Sequence, residues 1–431
     1  MDEKRATERT PHGPLRLACL WLCMAQALTG QTARAEEVTF DEALALGDRT
    51  PEVMGLREAL EARESADQGI RGAAGPTNLT IMPGALVSPR QDDVFELQTN
   101  LTQGWSLGGL GGARREAAEQ EREALGAAVR ARALRARLEA ARRWIDLATL
   151  MRIRETVDQR IDAAEDLVSQ RQRALATGVG TVQPLAEARA VLAELRQKRL
   201  DLEGDVFAAS SQLALAMGRA PEAERLQAAG DLPNPPMPSE AEIRRRIGDI
   251  DAAPDVIVEQ LRETASRARM AETSALYAPV LDIGVQAERA AAGDRGAWVV
   301  YGISGLSFHG FGQERRSTAL AKEELAIASA STADARLRAR AEVEEALHDL
   351  EHTATVATLL EEQTLPALHG LVSSRARAVA LGEELSFALT EARDRELAAM
   401  EAVHRARGAN SWARVHMWLF LAELAAAEGD R

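Results

Sequence analysis

The sequence predicts a mainly α-helical chain with a small β part, built as one unit used twice, and three observations carry that prediction. The first is an internal duplication. A capping-box pattern at Thr39-Phe-Asp-Glu42 returns as Ser239-Glu-Ala-Glu242, Pro51-Glu52-Val53 returns as Pro254-Asp255-Val256, and Pro76 returns as Pro279. Leu107-Gly-Gly109-Leu110-Gly111 followed by Arg114-Arg115 returns as Phe308-His-Gly310-Phe311-Gly312 followed by Arg315-Arg316. Arg173 to Gly178 with Glu187-Ala188-Arg189 returns as Arg377 to Gly382 with Glu391-Ala392-Arg393. The offset stays between 200 and 204 residues, and several landmarks in register at one spacing mark a repeat. The second observation is a change of hydrophobic period from helical to two within each unit. The third is the length of the proline-free stretches, far beyond an ordinary globular helix.

In the first unit, residues 36–231, a helix is expected from the Thr39 box to about Arg71. Strands are expected over about 77–107, where Phe95, Leu97, Thr99 and Leu101 alternate with Glu96, Gln98, Asn100 and Thr102. Leu79 and Ile81 suggest the partner strand, with 88–93 as the loop between. A long helical hairpin follows over about 113–217. From Ala113 to about Thr177 there is no proline and Gly126 is the only glycine, so these residues form a rod on the order of 95 Å long. After Gly178 the chain turns and 182–217 returns antiparallel. Leu232-Pro-Asn-Pro-Pro-Met-Pro238 is the linker between units. The second unit, 239–431, repeats the order: a helix from Ser239 to about Tyr277, strands over about 279–308, a rod over about 313–381 kinked at Pro366 and Gly370, and a return over 384–425. Leu281, Ile283, Val285 and Ala287 there alternate with Asp282, Gly284, Gln286 and Glu288.

Residues 1–35 read as an export signal: Lys4, Arg5, Arg9 and Arg16 precede the apolar Leu17–Leu28 run, and Ala33-Arg34-Ala35 fits the cleavage pattern. Both cysteines, Cys19 and Cys23, lie in that segment, so the processed chain holds no disulfide and no thiolate nucleophile or ligand. Five basic and three acidic side chains leave with it, taking the formal charge from −14 to −16, which argues against nucleic acid as a partner. No later apolar run approaches a transmembrane helix. A membrane role would therefore need strands closed into a barrel. The alternation alone also fits an antiparallel patch with a polar outer face on a soluble helical protein.

Over essentially the whole processed chain, this arrangement resembles the TolC-type outer-membrane efflux family. The passages Gly104–Arg115 and Gly302–Arg316 look like that family's strand-to-helix junctions, and the segments around Gly178 and Gly382 resemble its periplasmic tip turns. The glycine-and-arginine passages look closest to members serving heavy-metal or other cation exporters. The resemblance implies a homotrimer with a 12-stranded outer-membrane β-barrel, continued by a periplasmic α-helical barrel. It further implies a passive export duct meeting outer-membrane lipid, a periplasmic adaptor and an inner-membrane pump, with no cofactor and no catalysis. With 3% aromatics the chain is thin in girdle residues, for which Trp105, Trp298, Tyr301 and Phe308 are the candidates. Gly178, Val179, Gly180, Thr181, Gly382 and Glu383 are the expected tip and adaptor contacts. Glu187 and Glu391, at matching positions nine residues past the turns, are the expected acidic ring of the lumen. Glu391 falls where the family places a constriction acid, while Ala388 leaves the neighbouring slot without one.

Two readings of another class stand beside this one. One is a soluble periplasmic coiled-coil scaffold or adaptor. The other is a zinc peptidase, because His348-Asp-Leu-Glu351-His352 matches the H-x-x-E-H pattern. At an offset of 203 that motif aligns with Trp144-Ile145-Asp146-Leu147, so the first unit fills its slot with packing residues. The many Glu and Arg residues of the rods read as solvated faces with helical ion pairs.

Overall fold

The computed structural model describes residues 36–67, 74–86, 94–221, 225–248, 250–292, 295–307, 311–382 and 385–429. The expected leader, the loop at 88–93 and Glu383 lie outside these residues. Thr39 caps the helix Phe40–Gly47 (α1): its hydroxyl accepts the Glu42 N–H at 3.3 Å while the Glu42 carboxylate accepts the Thr39 N–H at 2.9 Å. The single helix expected from Thr39 to Arg71 is instead two, α1 and Pro51–Asp67 (α2). A proline has no N–H to continue a ladder but fits the first turn of a new one. The second half behaves alike. Ser239 caps Glu240–Ile247 (α5), a short 3₁₀ turn spans Ile250–Ala252, and a new helix, Pro254–Leu276 (α6), starts on its proline.

Two strands escaped the sequence reading. Glu36–Thr39 (β1) pairs in parallel with Leu226–Ala229 (β4), segments of four residues each with no visible alternation. They close the main core, where Trp144 is wholly buried, donates its indole N–H to the Val38 carbonyl at 2.8 Å and meets the Phe40 ring edge-on.

The larger sheet has four antiparallel strands in the order β2 (Ala74–Leu86), β3 (Val94–Ser106), β5 (Val280–Ala292), β6 (Arg295–Ser307). Its middle pairing joins the two halves. Leu101 stands opposite Val285 and Trp105 opposite Leu281. At this seam Gly284 is needed for space, since a Cβ there would sit 2.4 Å from the Leu101 carbonyl oxygen.

From the sheet run the rods. Leu110–Ala176 (α3) is unbroken over 67 residues, about 100 Å at 1.5 Å per residue. Val182–Ala216 (α4) returns beside it. The second rod is Phe311–Leu359 (α7), one widened π turn at Leu360–Thr364, and Leu365–Ala380 (α8); Ser386–Gly429 (α9) returns. The interruption thus falls just ahead of Pro366, and Gly370 lies within α8. Proline removes one ladder bond and its ring crowds the carbonyl four residues back, which the wider turn accommodates as the Leu365 N–H reaches back to Leu360. In the helical layer α3 lies between α4 and α9, α9 also meets α7 and α8, and α6 lies against α3 and α7.

Candidate functional site

The sheet carries its chemistry on two faces. Leu101, Trp105, Ile283, Val285, Val300 and Leu306 share one face and are about half exposed, a large apolar surface left open to the surroundings. The other face presents Asn100, Asp282 and Gln286, with the Ser307 hydroxyl donating to Asp282 at 2.6 Å. Trp105 stands opposite Leu281 and Trp298 opposite Arg289. Those levels lie about 26 Å apart along β5, on the order of the apolar band of a membrane barrel. Tyr301 pairs with Gln286, and Phe308 lies outside the described residues. Among the described residues no helix is long and apolar enough to cross a membrane.

At the far end of the rods the chain reverses in two glycine turns. Gly178 has φ +75°, the left-handed conformation that favours glycine, and the turn closes with the Gly178 N–H on Leu175 at 3.1 Å and the Val179 N–H on Ala174 at 3.0 Å. Gly180 follows and Thr181 caps α4 without a side-chain bond. Gly382, φ +76°, donates to Val379 at 3.0 Å in the matching turn. Around these turns the apolar Val179, Val182, Leu381 and Leu385 stand exposed, Val179 by 77%.

Glu187 on α4 and Glu391 on α9 line one groove with Arg171, Pro184, Ala188 and Thr390. Both carboxylates are exposed. Glu187 accepts from Gln183 at 2.9 Å, and Glu391 meets the Arg171 guanidinium at 3.4 Å. The structure therefore brings the two acids to the same groove, lined also by Arg171, Arg395 and Asp394.

The Glu and Arg residues of the rods are not all solvated, which corrects the sequence reading. Along the seam between α3 and α9, Arg137 pairs with Glu423, Arg160 takes Asp394 through two nitrogens at 2.7 and 3.2 Å and Glu401 at 2.6 Å, and Arg171 lies 3.5 Å over the Phe387 ring. Glu401 is only 2% exposed and also accepts Lys198 of α4 at 2.5 Å. Burial pushes its carboxyl up, but hydrogen bonds from Lys198 and Arg160 outweigh that and hold it below the ordinary value. The one sequence hint was Lys198, a rare lysine in an arginine-rich chain. By contrast the buried stripe of the α3–α4 seam is apolar, built from Ile153, Val157, Ile161 and Ala164 against Leu192, Leu195 and Leu202, and its ion pairs, Arg196 with Glu165 and Arg199 with Asp158, stay on the exposed rim.

His348 and His352 lie on an exposed face of α7, their rings stacked at 5.7 Å. Among the described residues no three His, Cys, Asp or Glu side chains are placed to hold a metal ion. The aligned Ile145 and Ala148 are buried, so the two rods do not bury the same positions.

No family model matches the chain, and no curated protein matches it in sequence. Solved structures do match in fold. The outer-membrane channel OprN superposes with a TM-score of 0.70 at 17% identity, covering 89% of each chain. The outer-membrane protein VceC of Vibrio cholerae gives 0.64 at 16%, over 90% of this chain and 95% of that one. CusC, described for its folding and transmembrane channel formation, gives 0.64 at 13%, over 89% and 91%. The chain has the fold of the TolC-type outer-membrane efflux channels, mainly helical with a small β part.

Proposed function

We propose that this chain is a TolC-type outer-membrane channel, the passive duct of a tripartite efflux or secretion system, docked through a periplasmic adaptor to an inner-membrane pump. The observation that carries this reading is the four-stranded sheet. One face is apolar and half exposed, the other polar, and the outer strands β2 and β6 are paired on one side only among the described residues. Lipid tolerates no open sheet edge, so copies must join edge to edge. Two copies would give eight strands, a barrel that side chains fill; three give twelve and leave a passage. The helical layer supports the same count of neighbours. Its outer members expose Leu200, Phe207 and Leu215 on α4, and Leu320, Ile327 and Leu337 on α7, apolar edges suited to the next copy. Residues 1–35 are the export signal in this reading. A soluble scaffold would leave the apolar sheet face without a partner.

Gly178, Val179, Gly180, Thr181, Gly382 and Glu383 form the tip that meets the adaptor, and Glu187 with Glu391 forms an acidic ring that favours cations. The duct itself runs no reaction. One preparation tests these assignments: protein extracted from the outer membrane and reconstituted in planar bilayers. Detergent-dependent extraction and stable conductance are expected, and release by salt alone would refute the channel. Val179→Asp with Leu381→Asp should abolish export and keep conductance; loss of insertion would remove the tip from the docking surface. Glu187→Gln with Glu391→Gln should lower cation over anion selectivity, and an unchanged reversal potential would discard the ring.

A further inference from the structure

We propose that the α3–α9 seam is an acid-sensitive joint, in which protonation of His404 and His416 loosens the grip between the two halves of the chain. On α9, His404, Gly408, Trp412 and His416 recur every four residues and so form one stripe. The facing residues of α3 are Arg152, Thr149 and Arg142. The two helices approach closely at Gly408, where a Cβ would lie 2.3 Å from the Thr149 hydroxyl oxygen. The His404 Nδ1 and the Thr149 hydroxyl are both buried there without a hydrogen-bond partner. Further along, the His416 ring stacks on Trp412 at 5.2 Å, and the Arg142 guanidinium lies 4.9 Å over that same indole.

Each histidine has cations beside it. His404 faces Arg152 and Glu155 from α3, and Glu401 and Arg407 from its own helix. His416 faces Arg142 from α3, and Asp349 and Glu345 from α7. Glu401 is already taken by Arg160 and Lys198. Burial first, and the neighbouring arginines second, push both imidazoles below their ordinary value, so both are neutral at neutral pH.

The neighbouring arginines are themselves grips. Arg152 holds the end of the first half, just ahead of the linker, through the Gly230 carbonyl at 3.3 Å and Asp231 at 3.1 Å. Arg407 holds the widened turn of the second rod through Glu361 at 2.7 Å. A proton on His404 adds positive charge between these two arginines, and one on His416 adds it beside Arg142. Because the folded values lie below the ordinary imidazole value of 6.5, the stabilisation is present above it and is lost as pH falls through the folded values. His348, His352 and His369 are exposed and lie off this seam.

The test is amide hydrogen exchange on the full chain in detergent, read over the middle of α9 and over α4, with rates normalised for the intrinsic effect of pH. Between about pH 7.5 and about pH 5.5, protection of α9 around His404–His416 should fall clearly more than that of the rest of the helical layer. Protection of α4, which has no histidine and meets α3 through a buried apolar stripe, should stay within about twofold. His404→Gln with His416→Gln should abolish the fall. Unchanged α9 protection in the unmodified protein overturns the proposal, whether or not the variant folds, and so does an equal fall in the variant. The seam lies within one chain, so failure of the trimeric duct would not itself touch this result.

Discussion

The two rods of the molecule come from one repeated pattern, yet they are held in different ways. The first, α3, runs unbroken and is covered along both sides, by α4 through an apolar stripe with ion pairs only at its rim, and by α9 through an apolar core around Trp144, Val415 and Leu419 joined to a buried charge cluster. The second is interrupted by the widened turn ahead of Pro366, and beyond it α8 buries no residue at all. The turn and the arm are tied to α9 by polar contacts instead, Arg407 to Glu361 of the turn at 2.7 Å and the His369 ring to the Glu396 carboxylate at 2.8 Å. Position in the layer explains the difference. α3 is central and fills its apolar positions against two neighbours, whereas the second rod is at an edge and leaves Leu320, Ile327, Leu337 and Leu359 uncovered. Duplication of a sequence repeats the elements; where each copy sits decides what is buried.

That comparison can be broken by substitution. Trp144→Ala in the central rod removes a wholly buried indole and its bond to Val38, and should cost about 3–5 kcal/mol in denaturant unfolding of the extracted protein. A loss below about 1 kcal/mol would show that the central rod is not the core. Glu401→Gln breaks the buried charge cluster and should cost about 3 kcal/mol near neutral pH. Because the folded Glu401 titrates below its ordinary value of 4.5, its contribution is present above that value and lost as pH falls through the folded one. The variant should therefore show a weaker loss of stability with acid than the parent, and parallel curves would deny the cluster its role. Leu371→Ala on α8, half-buried at the edge, should cost about 1 kcal/mol or less. A cost matching that of Trp144→Ala would erase the distinction between centre and edge.

Much of this architecture was legible because it rests on local signals. A proline-free stretch gave the first rod to within a few residues, its repeat gave the second despite Pro366, and the glycines at 178 and 382 gave the reversals, since only glycine turns readily into the left-handed region. The alternation from Leu281 to Ala287 gave a strand with two distinct faces. What the sequence hid depends on distant partners. β1 and β4 are too short to show a period and exist because they meet across the core. Pro51 and Pro254 split helices that the apolar pattern made continuous. Arg160, Lys198 and Glu401 look like any solvated charges until α9 folds against α3. His348 aligns with the buried Ile145 and is itself exposed, so even a sound repeat alignment does not carry burial from one half to the other. Glu187 and Glu391 were singled out from their matching positions, and the groove they share with Arg171 emerged only from the packing.

The most direct test of the proposed duct is the mass of the complex in mild detergent, because the proposal seats β2 and β6, each paired on one side only among the described residues, against neighbouring copies. Native mass measurement of the chain extracted from the outer membrane should give three copies and no other stable assembly, as twelve strands require. A monomer, a dimer or a tetramer as the sole stable species would contradict the closed barrel, and with it the proposed passage.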